Sequence, residues 1–231
     1  MKSIPAKRNV PREINGRPVP RIMYLEKDEM KALLDAPDRK TAQGSRDYAL
    51  LMFLYNTGAR ASEVASMTIG NLETGSSGQM PKVTILGKGN KTRVCPLWES
   101  TVKLLLPLID RSKDEHLFLN RYNEPITRFG IYEMVSRHAA KASLVMQTIA
   151  GKNVGPHIIR HSTASHLLEA GVDINTIRSW LGHVSVNTTN LYAEVNMRMK
   201  AEALKTCEIG GLRKGRTWKG DKSLLTFLKS I

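Results

Sequence analysis

The longest uninterrupted apolar stretch, Tyr48 to Tyr55, constrains this chain more than any other feature. It is far shorter than the roughly 20 residues needed to cross a bilayer, so it must be buried within protein. Ser45 precedes Asp47 as an N-cap and Gly58 follows the run, which predicts a helix from near Ser45 that ends at the glycine. Apolar residues cover every face of that helix, placing it in a core that other elements surround. At 231 residues the chain is long enough to build such a core as one domain with tails, since domains commonly run to about 100–200 residues. With 41% apolar and 24% charged residues, it is neither disordered throughout nor a collagen-like or disulfide-stapled chain.

Helical signals recur on both sides of the apolar run. Leu25 to Leu34 has an apolar face and early acids, Ala61–Met67 reads as a short helix, and further helices are expected over 98–110, 127–141, 157–170, 173–181, 186–193 and 195–205. Between them the pattern turns β-rich. The segments beginning at Lys82 and Thr92 flank Gly87-Lys-Gly-Asn-Lys, which reads as a hairpin with an exposed tip. The fold class is therefore mainly α with a small antiparallel β-sheet (α+β). Residues 1–23, with four prolines, read as a basic arm or linker remnant; 24–204 form the domain and 205–231 a basic tail.

The formal charge is +14 and the pI about 9.9. The arm has six basic residues against Glu13, and the tail seven against Glu208 and Asp221, which leaves only +4 on the body. Such ends fit a polyanion partner and equally fit solubilising tails. No apolar segment follows Lys2, and the two cysteines, Cys95 and Cys207, form no CxxC pair. The expected setting is thus a reducing, cytoplasmic one, with no membrane and no metal framework.

Four local patterns could carry chemistry: Thr57-Gly-Ala-Arg60-Ala-Ser-Glu63, Lys88 at the hairpin tip, His157-Ile-Ile-Arg160-His161 after Gly155-Pro156, and Leu181-Gly-His183 followed nine residues later by Tyr192. Taken singly, each has a plain structural reading. Arg60 and Glu63 make a surface ion pair, Lys88 a solvated turn lysine, and Tyr192 a helix boundary residue. His157 and His161 have the i,i+4 spacing of zinc ligands, but the Glu that a metalloprotease needs after the first His is absent.

Together and in this order, the four patterns resemble the catalytic domain of the tyrosine recombinases, the phage-integrase family that includes the Xer proteins. The resemblance covers about residues 21–200. It implies that Arg60, Lys88, His157, Arg160, His183 and Tyr192 are catalytic and that Glu63 supports them. The chemistry explains the set. Attack on a DNA phosphodiester builds charge on the non-bridging oxygens, which two guanidiniums bind at any physiological pH. Histidines add donors or accept the phenolic proton, and Lys88 protonates the leaving 5′ oxygen. Tyr192, with a reference pKa near 10, needs this electropositive surround. The implied product is a 3′-phosphotyrosine, so no cofactor, ATP or metal is expected. Lys82, Lys91 and Arg93 are expected to contact phosphates of double-stranded DNA.

Family members usually carry a further helical module ahead of this domain. Here only residues 1–23 precede it, so the chain is either a fragment or a minimal member that clamps DNA from one side. The segment with Met197, Met199 and Leu204 is expected to pack on a neighbouring protomer, giving a dimer or tetramer in synapsis. A non-cleaving DNA-binding accessory protein and a type IB topoisomerase-like nicking enzyme are the competing readings.

Overall fold

The computed structural model describes residues 13–14, 17–18, 23–75, 79–87 and 89–182. The expected helices over 186–193 and 195–205, and the tail, lie outside them. The element order is β1 (Glu13–Ile14), β2 (Arg17–Pro18), α1 (Lys27–Asp35), α2 (Ala42–Thr57), α3 (Ala61–Ala65), β3 (Leu72–Glu73), β4 (Lys82–Leu86), β5 (Thr92–Pro96), α4 (Glu99–Leu105), α5 (Arg128–Ser143), α6 (Pro156–Glu169) and α7 (Ile174–Leu181). Within the arm expected to be extended, β1 and β2 pair as a minimal antiparallel hairpin.

Helix α2 is the central element that the apolar run demands: Leu50, Leu51, Phe53 and Leu54 are fully buried. Its cap differs from expectation. Thr41, not Ser45, accepts the Gly44 N–H at 3.0 Å, while the Ser45 hydroxyl donates to the Arg39 carbonyl. The helix stops at Gly58, which has φ +59° and donates its N–H to Leu54 O. A Cβ on Gly58 would lie 2.4 Å from Leu181 Cδ2, so the left-handed conformation and the approach of α7 both require glycine.

The sheet has the order β3-β4-β5, entirely antiparallel. The expected hairpin is present, with Lys82 opposite Pro96 and Leu86 opposite Thr92. Alternation turns Val83, Ile85 and Cys95 into the core, and Cys95 is a free thiol. Helix α6 opens on Gly155 and Pro156; a Cβ on Gly155 would meet the Tyr132 ring at 2.8 Å, so glycine lets α5 approach the start of α6. A small second cluster, Ala164, Leu168, Ile177 and Leu181, joins α6 to α7. Among the described residues, no helix is long and apolar enough to cross a membrane.

Candidate functional site

The α2–α3 junction exposes one arginine and buries a carboxylate beneath it. The Arg60 N–H donates to Glu63 Oε2 and its Nη1 to Glu63 Oε1, both at 2.8 Å, as α3 begins. Glu63 also receives the fork of Arg93 from β5, with Nη1 to Oε1 at 3.1 Å and Nη2 to Oε2 at 2.7 Å. Exposure separates the two arginines: the Arg60 side chain is 40% accessible, that of Arg93 8%, and that of Glu63 5%. Burial pushes the Glu63 carboxyl up, but the hydrogen bonds and charge of Arg93, aided by the Arg60 N–H, outweigh it and hold its pKa below the usual range.

The H-x-x-R-H segment opens α6 beside this pair. Arg160 is buried and donates from Nη1 to Gly58 O at 2.6 Å and from Nη2 to Leu181 O at 2.5 Å. It thereby holds the end of α2 to the end of α7. His157 is exposed one turn earlier, and its Nε2 shares a 2.8 Å hydrogen bond with His161 Nε2. Burial, and then the charges of Arg160 and Arg60, lower its pKa, so the imidazole is neutral at pH 7. Arg60, Glu63, His157 and Arg160, drawn from separate segments, thus gather in one region. Lys88, His183 and Tyr192 lie outside the described residues, although the flanking Gly87 and Gly182 are described.

The three expected phosphate contacts diverge. Lys91 is exposed at the hairpin end, where its carbonyl accepts the Gly87 N–H at 2.8 Å. Lys82 stands at the far end of β4, about 17 Å away along an extended strand, and pairs with Glu73 at 3.0 Å. Arg93 departs from expectation altogether. Strand alternation puts it on the inner face with Cys95, where its fork is taken by Glu63 and its Nε by Trp180 O at 2.9 Å. Period two along β5 carried that signal; the partner, thirty residues away, was visible only in the fold.

The histidines make the site acid-sensitive. Burial, then the charges of His157 and Arg160, push His161 from 6.5 to about 4, and His157 and His166 shift in the same direction. The unfolded chain therefore takes up these protons first. The stability they contribute is present above pH 6.5 and is lost as pH falls towards 4. Glu63, whose folded pKa is depressed, adds a second loss below its ordinary 4.5. The melting temperature is expected to fall steadily between pH 7 and 5, and His161→Gln should flatten that limb. Circular-dichroism melts at half-unit intervals check this; a flat profile for the unaltered protein would refute it.

Comparison with known proteins identifies relatives of this chain. The model of the phage integrase family matches residues 23–199. An integrase/recombinase of Sinorhizobium fredii is 37% identical over 214 residues, covering 91% of this chain and 63% of that protein. The tyrosine recombinase XerD of Staphylococcus aureus is 35% identical over 180 residues, covering 74% and 58%. The chain therefore spans about three fifths of the length of these curated relatives. Among solved structures, the XerH site-specific recombinase bound to its difH substrate, a pre-cleavage complex, superposes with a TM-score of 0.62 at 26% identity, covering 78% of this chain and 52% of that one. The ordered motifs, the helical fold with its small sheet and the extent of these matches lead to one conclusion: this chain belongs to the phage integrase family of tyrosine recombinases.

Proposed function

We propose that this chain breaks and rejoins DNA strands at a specific site through a 3′-phosphotyrosine intermediate, without metal or ATP. One observation carries the reading: Arg160, one turn after the exposed His157 on α6, donates to Gly58 O two residues before Arg60, so the segments that hold these three residues meet. That grouping suits a phosphodiester. The guanidiniums bind the non-bridging oxygens and offset the charge that develops on them. Neutral His157 can accept the phenolic proton of Tyr192, which an imidazolium cannot.

Tyr192 Oη attacks the scissile phosphorus and the bond to the 5′ oxygen breaks. That oxygen leaves with a proton from Lys88, while His183 donates to the phosphoryl oxygens. A 5′ hydroxyl of another strand then attacks the phosphotyrosine, restoring Tyr192 and sealing the new junction. Glu63 holds Arg60 in place. Lys91 meets backbone phosphates from the hairpin end, and the segment with Met197, Met199 and Leu204 docks on a second copy when two sites are brought together. Residues 24–204 are the catalytic domain in this reading, and the basic ends tether it to DNA.

The test uses suicide duplexes, nicked near the cleavage point and carrying the ends of the element that encodes the chain, incubated with the full chain in EDTA. The expected result is a covalent protein–DNA adduct that Tyr192→Phe does not form. An adduct formed equally by that variant would refute the nucleophile. Tight binding with no adduct on any duplex would favour the non-cleaving accessory role.

A further inference from the structure

Arg93 closes the hairpin pattern that begins at Gly87 and is not among the expected catalytic residues, yet it occupies the junction of three segments that carry site residues. Its fork grips Glu63, the carboxylate that also holds Arg60. Its Nε donates to Trp180 O at the end of α7, a carbonyl that also accepts from Cys95 Sγ at 3.4 Å. The same side chain lies against two glycines. A Cβ on Gly182, at φ +63°, would stand 3.1 Å from Arg93 Cδ and 3.3 Å from its Nη1. A Cβ on Gly87 would stand 3.5 Å from Arg93 Nη1 and from Glu63 Oε1. Gly87 immediately precedes Lys88 and Gly182 immediately precedes His183.

Gly182 thus lets the backbone approach the buried ion pair more closely than a side chain would allow, and Gly87 lies within ordinary contact of it, just before the chain reaches each of these residues. Any sideways movement of the Arg93 fork displaces Arg60 through Glu63, the hairpin through Gly87 and the end of α7 through Trp180 O. We infer that Arg93 is a positioning residue of the strand-cutting site, setting the hairpin and the end of α7 relative to Arg60 from behind without touching DNA. The inference rests on the function proposed above. Lysine cannot replace it, because a single ammonium cannot fork onto Glu63 and reach Trp180 O together.

The test compares the unaltered chain with Arg93→Lys on the suicide duplex at saturating DNA, well below the melting temperature. The expected result is an adduct-formation rate constant lower by about 10²-fold, in line with small misplacements of reacting groups. DNA affinity should stay within twofold and its salt dependence should not change. Weaker binding with a salt slope reduced by about one, at an unaltered rate constant, would make Arg93 a phosphate contact and overturn the inference. An unaltered rate constant with only a smaller reacting fraction or a lower melting temperature would make its role purely structural and overturn it too. Should the unaltered protein form no adduct on any DNA, the proposed function fails and amide exchange decides the inference. Arg93→Lys should speed exchange at Gly87 and Gly182 while Leu50–Leu54 stay protected; unchanged exchange at both glycines overturns it.

Discussion

Arg160→Lys should slow adduct formation on a suicide duplex by about 10²–10³-fold, the loss typical when one preorganised donor to a developing oxyanion is removed. The reasoning starts from what the side chain already does. Its two terminal nitrogens span from Gly58 O to Leu181 O, so the guanidinium plane is set by the backbone of two helix ends. An ammonium on a flexible stem can take one carbonyl and leaves the other buried without a partner, which costs about 1–3 kcal/mol. For a domain of this size that corresponds to a melting temperature lower by about 2–12 °C. The two effects separate by temperature. At 20 °C the variant should be folded by near- and far-ultraviolet circular dichroism, yet slow in single turnover. A rate within threefold of the unaltered protein would show that fixed guanidinium geometry at position 160 is not needed for the chemistry.

How far this arrangement could be read from sequence depended on the range of the interactions. Gly58 was legible because a helix end needing positive φ is a local demand, and the hairpin because alternation and a glycine tip are local as well. The start of α2 was misplaced by a few residues. Thr41 and Ser45 are both able caps, and the choice fell to the turn at Asp38, whose carbonyl accepts from the Thr41 N–H at 3.1 Å and from its hydroxyl at 2.9 Å. Strand β3 was missed because a two-residue strand has no periodicity; it exists through its pairing with Lys82 and Val83.

The site divided along the same line. Arg60 and Glu63 sit three residues apart, and so their contact follows from spacing on a helix start. Charge alone groups Arg93 with Lys82 and Lys91 as a phosphate contact, whereas its register on β5 turns it inward. Val94, apolar yet 56% exposed, and Arg93, charged yet turned inward, invert the usual pattern on β5. A carboxylate buried thirty residues earlier reverses the preference.

A further buried polar network was not legible at all, and it carries the largest expected effect on stability. Asp47, 1% exposed on α2, accepts from Arg46 Nε at 3.0 Å and Nη2 at 2.5 Å through Oδ1, and from Arg137 Nη2 at 2.8 Å through Oδ2. His138 Nε2 lies 2.9 Å from the same Oδ2. Burial pushes the Asp47 carboxyl up, and the His138 and Arg46 hydrogen bonds outweigh it, holding its pKa below the usual range.

Asp47→Asn removes that charge at constant shape. Arg137, nearly half exposed, can turn to water, and Arg46 keeps Leu119 O at 2.7 Å, but His138 has no such exit. The expected cost is therefore at the lower end of the roughly 3–5 kcal/mol for breaking a buried pair, a melting temperature lower by about 6–12 °C. The stability that Asp47 contributes is present above its ordinary pKa of 3.8 and is lost as pH falls below it, so the deficit of the variant should shrink in acid. Asp47 lies ten residues before the end of α2, about 15 Å along the axis from the junction that carries Arg60. At 20 °C the rate of adduct formation should therefore stay within about threefold of the unaltered protein. A rate loss as large as that of Arg160→Lys would mean that the two polar networks are mechanically coupled along α2.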